Sequence, residues 1–263
     1  MEEKGDGEEE LQYRGGVVVG NKGPVKHMKR HQSPSFWPID RKTGNWAVKT
    51  SAGPHSTNTS IPSNVLLRNE LKISKTAKES KFIIKRGRIL VDGKPRLDTR
   101  FPIGLMDVVS LPDKGENYRV LPAHNGKFKL IPISEEETGF KLCKIVGKQT
   151  LPHGLTQLNL HDGQNQIITR EADNYNVNDV LKLRVPEKEI MDRIEFKEMQ
   201  QSIITGGRSQ GAQGMIIGFS QEPGWKRTAT IRTEEGEDIR TLAKYVFVVG
   251  SNEPIIKLNE GES

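Results

Sequence analysis

The side chains whose types and spacing suggest a shared task are cations. Lys78, Lys81 and Lys85 recur at i, i+3 and i+7, so a helix through them presents all three on one face. Arg86 and Arg88 extend that positive surface, and Lys94, Arg96 and Arg100 follow closely. Upstream, Lys22, Lys26, Lys29, Arg30, Arg41, Lys42 and Lys49 face one acid, Asp40, with Phe36, Trp37 and Trp46 interleaved. Arg208 adds a cation in a glycine-rich stretch near the C-terminal end. Lysine and arginine placed on phosphates release condensed counterions, and exposed indole rings stack on bases, so this pattern suits a nucleic-acid partner. Trp37 and Trp46 are candidates either for stacking or for anchoring the basic segment to a neighbouring domain.

Catalytic constellations are missing from the sequence. Gly206, Gly207, Gly211 and Gly214 lack the Gly-Lys-Ser/Thr ending of a phosphate loop and the GxGxxG order of a dinucleotide fold. His161 and Asp162 are adjacent, and Gly163 makes a turn the expected setting rather than an acid/base pair. Six scattered histidines and a lone Cys143 supply no ligand set for a metal. Arg96-Leu97-Asp98 resembles the catalytic tripeptide of pseudouridine synthases, but it lies inside the basic segment rather than in a larger domain downstream. The expectation is a protein that is not an enzyme, with no cofactor and no small-molecule substrate.

The balance of the chain fits that reading. Its net charge is +6 and its pI about 9.3, with 33% hydrophobic and 28% charged residues, which favours several small modules over one deep core. No apolar run approaches the ~20 residues of a membrane span, and no broad amphipathic helix offers itself to an anionic bilayer. The acidic start MEEKGDGEEE is unlike a signal peptide, so a reducing, cytoplasmic setting is expected.

The elements that would position the cations are an α+β, multi-domain set. Residues 1–21 form an acidic leader expected to be disordered, and 22–59 a basic, proline-containing extended arm. Residues 60–111 form a helix-and-hairpin module. In it, Ser60-Ile61-Pro62 is expected to start one short helix, and Thr76 with Glu79 to cap a second as a capping box that ends at Gly87. Arg88 to Val91, the Asp92-Gly93 turn, Lys94 onward and Asp107 to Leu111 should make a small sheet. Residues 112–196 alternate short apolar runs with turns in a near-neutral, mostly β domain suited to spacing or protein contact. Residues 197–250 suggest a small barrel, followed by a tail over 251–263.

Two stretches resemble known modules. Thr76 to Leu111 is similar to the αL RNA-binding motif of ribosomal and RNA-modifying proteins, and Ile203 to Ile217 resembles the KOW motif of ribosomal and elongation proteins, which implies an SH3-like barrel. The order of Lys22-Gly23-Pro24-Val25-Lys26-His27-Met28-Lys29-Arg30, Ser51-Ala52-Gly53-Pro54-His55, Phe101 to Val108, Lys141-Leu142-Cys143-Lys144 and Tyr245 to Gly250 resembles the archaeal and eukaryotic family of small-subunit ribosomal protein four. The short, non-basic stretch after Gly250 favours the archaeal form. The resemblance implies binding to small-subunit ribosomal RNA beside neighbouring small-subunit proteins, in the cytoplasm. Its rivals are an αL-containing RNA-modifying enzyme and a KOW-type transcription-elongation factor.

Overall fold

The computed structural model describes residues 27–168, 174–222, 226–251 and 253–258, so the expected acidic leader, Lys22 and Lys26 lie outside the described residues. From the N-terminal side come β1 (Met28–Lys29), β2 (Trp46–Ala47), β3 (Ser60–Pro62), α1 (Ser63–Val65) and α2 (Ala77–Lys85). Next are β4 (Leu90–Val91), β5 (Lys94–Pro95), β6 (Pro102–Gly104), β7 (Val108–Leu111), β8 (Glu116–Pro122) and β9 (Phe128–Pro132). α3 (Glu135–Thr138) leads into β10 (Phe140–Thr150), β11 (Thr156–Leu160), β12 (Asn165–Ile168), β13 (Val180–Arg184) and β14 (Ile190–Ile194). The last strands are β15 (Gln201–Ile204), β16 (Gln213–Glu222), β17 (Lys226–Arg232), β18 (Asp238–Leu242) and β19 (Val246–Gly250).

These strands form three five-stranded sheets, ordered β5-β4-β7-β8-β9, β12-β11-β10-β13-β14 and β18-β17-β16-β15-β19, beside the pairs β1-β2 and β3-β6. The described chain is thus mostly β with few helices, a smaller helical share than the α+β expectation. The cause is visible in the sequence: most apolar residues come in short runs too brief to make a helical stripe.

Local signals decide the helix and the hairpin. Thr76 Oγ1 accepts from the Glu79 backbone N–H at 3.2 Å, and Glu79 Oε2 accepts from the Thr76 N–H at 3.2 Å, completing the expected capping box of α2. Asp92 and Gly93 take positive φ values of 50° and 68°, and Val91 pairs with Lys94 across the two-residue turn. Two expectations are corrected. Ser60–Pro62 is a strand, not a helix start, because pairing with Pro102–Gly104 buries Ile61, and the helix begins only at Ser63. The hairpin sheet also runs past Leu111, since β7 pairs with β8 and β8 with β9, carrying it to Pro132.

Burial on both faces of β10 joins the parts. Leu142 faces a core shared with Met106, Leu121 and Ile131 of the hairpin region and with Ile203, Ile216, Val246 and Val248 of the last sheet. Cys143 and Ile145, one residue out of phase, face a second core with Leu158, Leu160, Leu181 and Leu183. A third core packs Met28, Trp37, Val65, Leu66, Ile84, Ile89 and Val109, so the proline-rich arm is tied to α2 and the hairpin sheet.

Between these cores sits a buried ion cluster. Lys141 Nζ donates to Asp107 Oδ1 at 2.5 Å and to Asp92 Oδ2 at 2.8 Å, and lies 3.3 Å from Asp162 Oδ2. His55 Nε2 donates to Asp107 Oδ1 at 3.1 Å, and the Gly104 N–H to Asp107 Oδ2 at 2.8 Å. Burial works against the Asp107 carboxylate, yet Lys141 and His55 overcome it and hold Asp107 well below the usual carboxylate range. Lys141, penalised by burial, is held above its ordinary value by Asp107 and Asp92. Asp92 moves the other way, raised by burial and by the Asp107 charge.

Replacing Lys141 by Met should cost about 3–5 kcal/mol near neutral pH, because three carboxylates lose their cation in a buried site. The stabilising part carried by Asp107 is present above the ordinary carboxylate pKa of about 4 and is lost as pH falls below it, so wild type and variant should converge in acid. Urea unfolding at neutral pH and near pH 2, well below the ordinary carboxylate pKa, reads both effects; equal stability at neutral pH would show that the ammonium is dispensable. Thr76→Ala should cost about 1 kcal/mol by the same assay, through loss of the α2 cap.

Candidate nucleic-acid interface

The face built by α2 comes first. Ser80 and Ile84 turn inward and are buried, which leaves Lys78, Lys81 and Lys85 exposed as their spacing requires. Phe82 shares the exposed side, 56% accessible, and the Arg86 guanidinium stacks over its ring at 3.9 Å. The Glu79 carboxyl is held below its ordinary value by backbone N–H groups of Lys75 and Thr76, so it serves the cap rather than the lysines.

The hairpin adds to the same charge. Lys94 and Arg100 are exposed, and Arg88 is exposed but paired with Asp113 at 3.0 Å. Arg96 is half-buried with its guanidinium 4.5 Å from the Phe101 ring centroid. Asp98, the acid of the synthase-like tripeptide, is exposed and accepts from the Arg100 N–H at 3.0 Å. Burial opposes its ionisation, but that bond, Ser51 and Arg100 keep its carboxyl below its ordinary value. Arg96 and Asp98 are thus taken up by different structural partners.

In the arm, the two candidate indoles separate. Trp37 is buried and its Nε1–H donates to the Ser60 carbonyl at 2.8 Å, so it anchors the arm. Trp46 is 58% exposed, with the His27 ring tilted beside it at 5.5 Å between centroids. Arg41 braces the turn, donating to the carbonyls of Ser33 and Pro34 at 3.1 Å each. Lys29 and Lys42 are exposed and Arg30 is half-buried.

Arg208 is exposed in the loop between β15 and β16. The glycines there serve packing. Gly211, at φ 88°, approaches the Ala123 backbone so closely that a Cβ would lie 2.8 Å from its carbonyl carbon, and a Cβ on Gly214 would overlap the Arg232 carbonyl.

His161 and Asp162 occupy a turn after β11 and serve different neighbours. His161 Nδ1 accepts from the Lys144 N–H and Nε2 donates to the Leu105 carbonyl, both at 3.2 Å. Burial, then the Lys141 charge, lowers its pKa to about 4. Asp162 belongs to the Lys141 cluster and accepts from the Cys143 thiol. Lys144 donates to the carbonyls of Ala243, Lys244 and Val246 at 3.2, 2.9 and 2.6 Å. Burial pulls it down to about 7, against three acceptors that suit an ammonium's three donors.

The sequence did not single out Phe82, Arg68, Lys72 or Lys75 as surface groups. Phe82 sits in an apolar-periodic helix, where an aromatic is more readily taken for core, and the signal that could have placed it at the surface is its helical phase, four residues after Lys78 and three before Lys85.

The chain is similar to known ribosomal proteins. A family model described as "Ribosomal family S4e" matches residues 114–190, and one described as "RS4NT (NUC023) domain" matches residues 22–58. The small ribosomal subunit protein eS4 of Methanothermobacter thermautotrophicus is 47% identical over 241 residues, covering 90% of this chain and 97% of its own. Its counterpart from Methanocaldococcus jannaschii is 41% identical over 246 residues, covering 91% and 100%. The crystal structure of the 30S ribosomal protein S4e from Thermoplasma acidophilum superposes with a TM-score of 0.62 at 30% identity, over 73% of this chain and 96% of that one. With relatives this similar along nine-tenths of its length, the chain belongs to the S4e family of ribosomal proteins.

Proposed function

We propose that this chain is a non-enzymatic, structural constituent of the small ribosomal subunit that binds and organises small-subunit ribosomal RNA in the cytoplasm, beside neighbouring small-subunit proteins. The observation that carries the reading is the cationic face of α2 and its hairpin. Lys78, Lys81, Lys85, Arg86, Lys94 and Arg100 are exposed, and among the described residues no carboxylate lies within 4.0 Å of their charged nitrogens. Such a face is left to neutralise phosphates, and its irregular relief suits folded RNA better than a regular duplex groove.

In finer terms, α2 with the hairpin sheet acts as an αL-type RNA-binding module. Lys22, Lys26, Lys29, Arg30 and Lys42 of the arm extend its reach along the phosphate backbone, and Trp46 offers a ring for stacking. The last five strands act as a KOW-type SH3-like barrel whose loop contributes Arg208. Arg41, Arg88 and Arg96, each with a partner inside the protein, contribute less than the unpaired cations. No observation favours the pseudouridine-synthase or elongation-factor alternative: Arg96 and Asp98 have separate structural partners, and the relatives named above are ribosomal proteins.

Sucrose-gradient sedimentation of a lysate should show stoichiometric co-migration with the small subunit that survives a moderate salt wash; migration at the top of the gradient, or with RNA polymerase, would sink the proposal. Changing Lys78, Lys81 and Lys85 together to Ala should weaken RNA binding and flatten the log-log salt dependence by about 2, at roughly 0.7–0.9 per lost phosphate contact, while urea unfolding stays unchanged. An unaltered slope would remove α2 from the binding face.

A further inference from the structure

A second cationic surface lies away from the hairpin, in a groove of about 820 Å³ between the arm and the start of α2. Its walls carry Arg30 and Trp46 from the arm and Arg68, Lys72 and Lys75 from the turns before α2, against one acid, Asp40. We infer that this groove holds one unpaired nucleotide of an RNA strand, with the base stacked on Trp46 and the phosphate held between Arg30 and Arg68. The inference rests on the RNA-binding reading above and adds to it a site for single-stranded rather than helical RNA.

Three observations support it. First, like charges are concentrated without contact ion pairs: among the described residues no carboxylate comes within 4.0 Å of the charged nitrogens of Arg30, Arg68, Lys72 or Lys75, and Glu70 and Glu79 act on Lys72 and Lys75 only from further away. Arg68 Nε donates to Asn69 Oδ1 at 2.9 Å, which orients the guanidinium without neutralising it. Arg30 Nε is shielded from solvent and has no acceptor among the described residues. Burial, and then the nearby Arg30 charge, pulls Arg68 below its ordinary value. The two like charges of Arg30 and Arg68 act on each other across the groove, and a phosphate, whose two non-bridging oxygens share one negative charge, relieves that repulsion by accepting from both guanidiniums.

Second, the two indoles of the arm have different fates. Trp37 supplies the anchor, so the fold does not need Trp46 for that purpose, yet Trp46 stands 58% exposed at the groove. A large exposed aromatic flanked by cations is the arrangement that binds unstacked bases, since every base has a face to stack and sequence is not required. Third, the groove is lined by paired and packed elements. Trp46 lies in β2, paired with Lys29 of β1, and Val65, which also lines the groove, is buried in the core shared by the arm, α2 and the hairpin sheet. Its ligand would therefore meet a preformed surface.

The test uses the full chain with three labelled probes: an oligouridylate, a blunt RNA duplex and inorganic polyphosphate. Trp46→Ala should weaken oligouridylate binding by on the order of ten-fold, with Trp46→Phe recovering most of it, and should leave polyphosphate and duplex binding unchanged. Arg68→Gln should weaken both oligouridylate and polyphosphate and lower the oligouridylate salt slope by about 0.7. Both variants should unfold in urea as wild type does, because neither side chain is part of a core. If Trp46→Ala and Arg68→Gln bind oligouridylate like wild type while the triple α2 variant is weakened, the groove proposal is overturned and the α2 reading stands. If wild type binds none of the RNA probes, both fall. An Arg68→Gln effect without a Trp46→Ala effect would also overturn it, since that describes a phosphate contact with no nucleotide seat.

Discussion

The architecture turns on one buried ammonium. Lys141 is 2% exposed and collects carboxylates from three places: Asp92 in the hairpin turn, Asp107 before β7 and Asp162 after β11, with His55 of the arm bonded to the same Asp107 oxygen as Lys141. Removing such charges from water costs several kcal/mol per ion, so the cluster is a poor source of raw stability. What it supplies is position, because charge satisfaction in a low-dielectric site tolerates few alternative arrangements. Apolar cores would let the arm, the hairpin sheet and the β10 sheet slide by small amounts. The Lys141 cluster penalises that sliding. The acids of the site respond differently: Lys141 and His55 hold Asp107 well below the usual carboxylate range, whereas burial and the Asp107 charge raise Asp92.

What the sequence made legible was local. The capping box at Thr76 and Glu79, the exposed lysine stripe and the Asp92-Gly93 hairpin all depend on residues close together in the chain, where spacing alone determines geometry. Lys141 bonds Asp92 and Asp107 across 49 and 34 residues, and no periodicity announces such a contact. In sequence Lys141 reads as one more cation on a strand, and only pairing of β10 between β11 and β13 turns it inward. The same limit explains the two misplaced boundaries. A proline in a first turn and a proline closing an edge strand look alike until the partner strand is known, and β8 continues the hairpin sheet because of pairing, not composition.

The candidate interface was readable as charge but not as a list of roles. Trp37 and Trp46 stand in similar basic surroundings, and tertiary packing alone made one an anchor and left the other at the surface. Arg41 and Lys42 are neighbours, yet Arg41 is occupied by the carbonyls of His31, Ser33 and Pro34 in the preceding segment of the arm. Phe82 was hidden by its type, since an aromatic among Ile83 and Ile84 suggests core packing, whereas the helix phase places it beside the lysines.

These assignments divide the cations into two populations that respond differently to salt. Lys141, Lys144, Arg119 and Arg41 are bonded to carboxylates or carbonyls of the fold, and the first three are buried, where ions of the solvent screen little. Arg88 apart, which pairs with Asp113, the exposed cations of α2 and the hairpin have no such partners among the described residues, so the free energy of their phosphate contacts comes largely from counterion release and falls steeply with salt. The net charge of +6 therefore says little about the strength of the interface, because it averages structural and available charge. It follows that salt sufficient to strip RNA from the surface leaves the Lys141 cluster and the relative placement of the sheets intact, so loss of binding need not report loss of fold. A surface that must give up water and counterions on binding, yet keep its shape, is best built on a frame whose own charges are already buried.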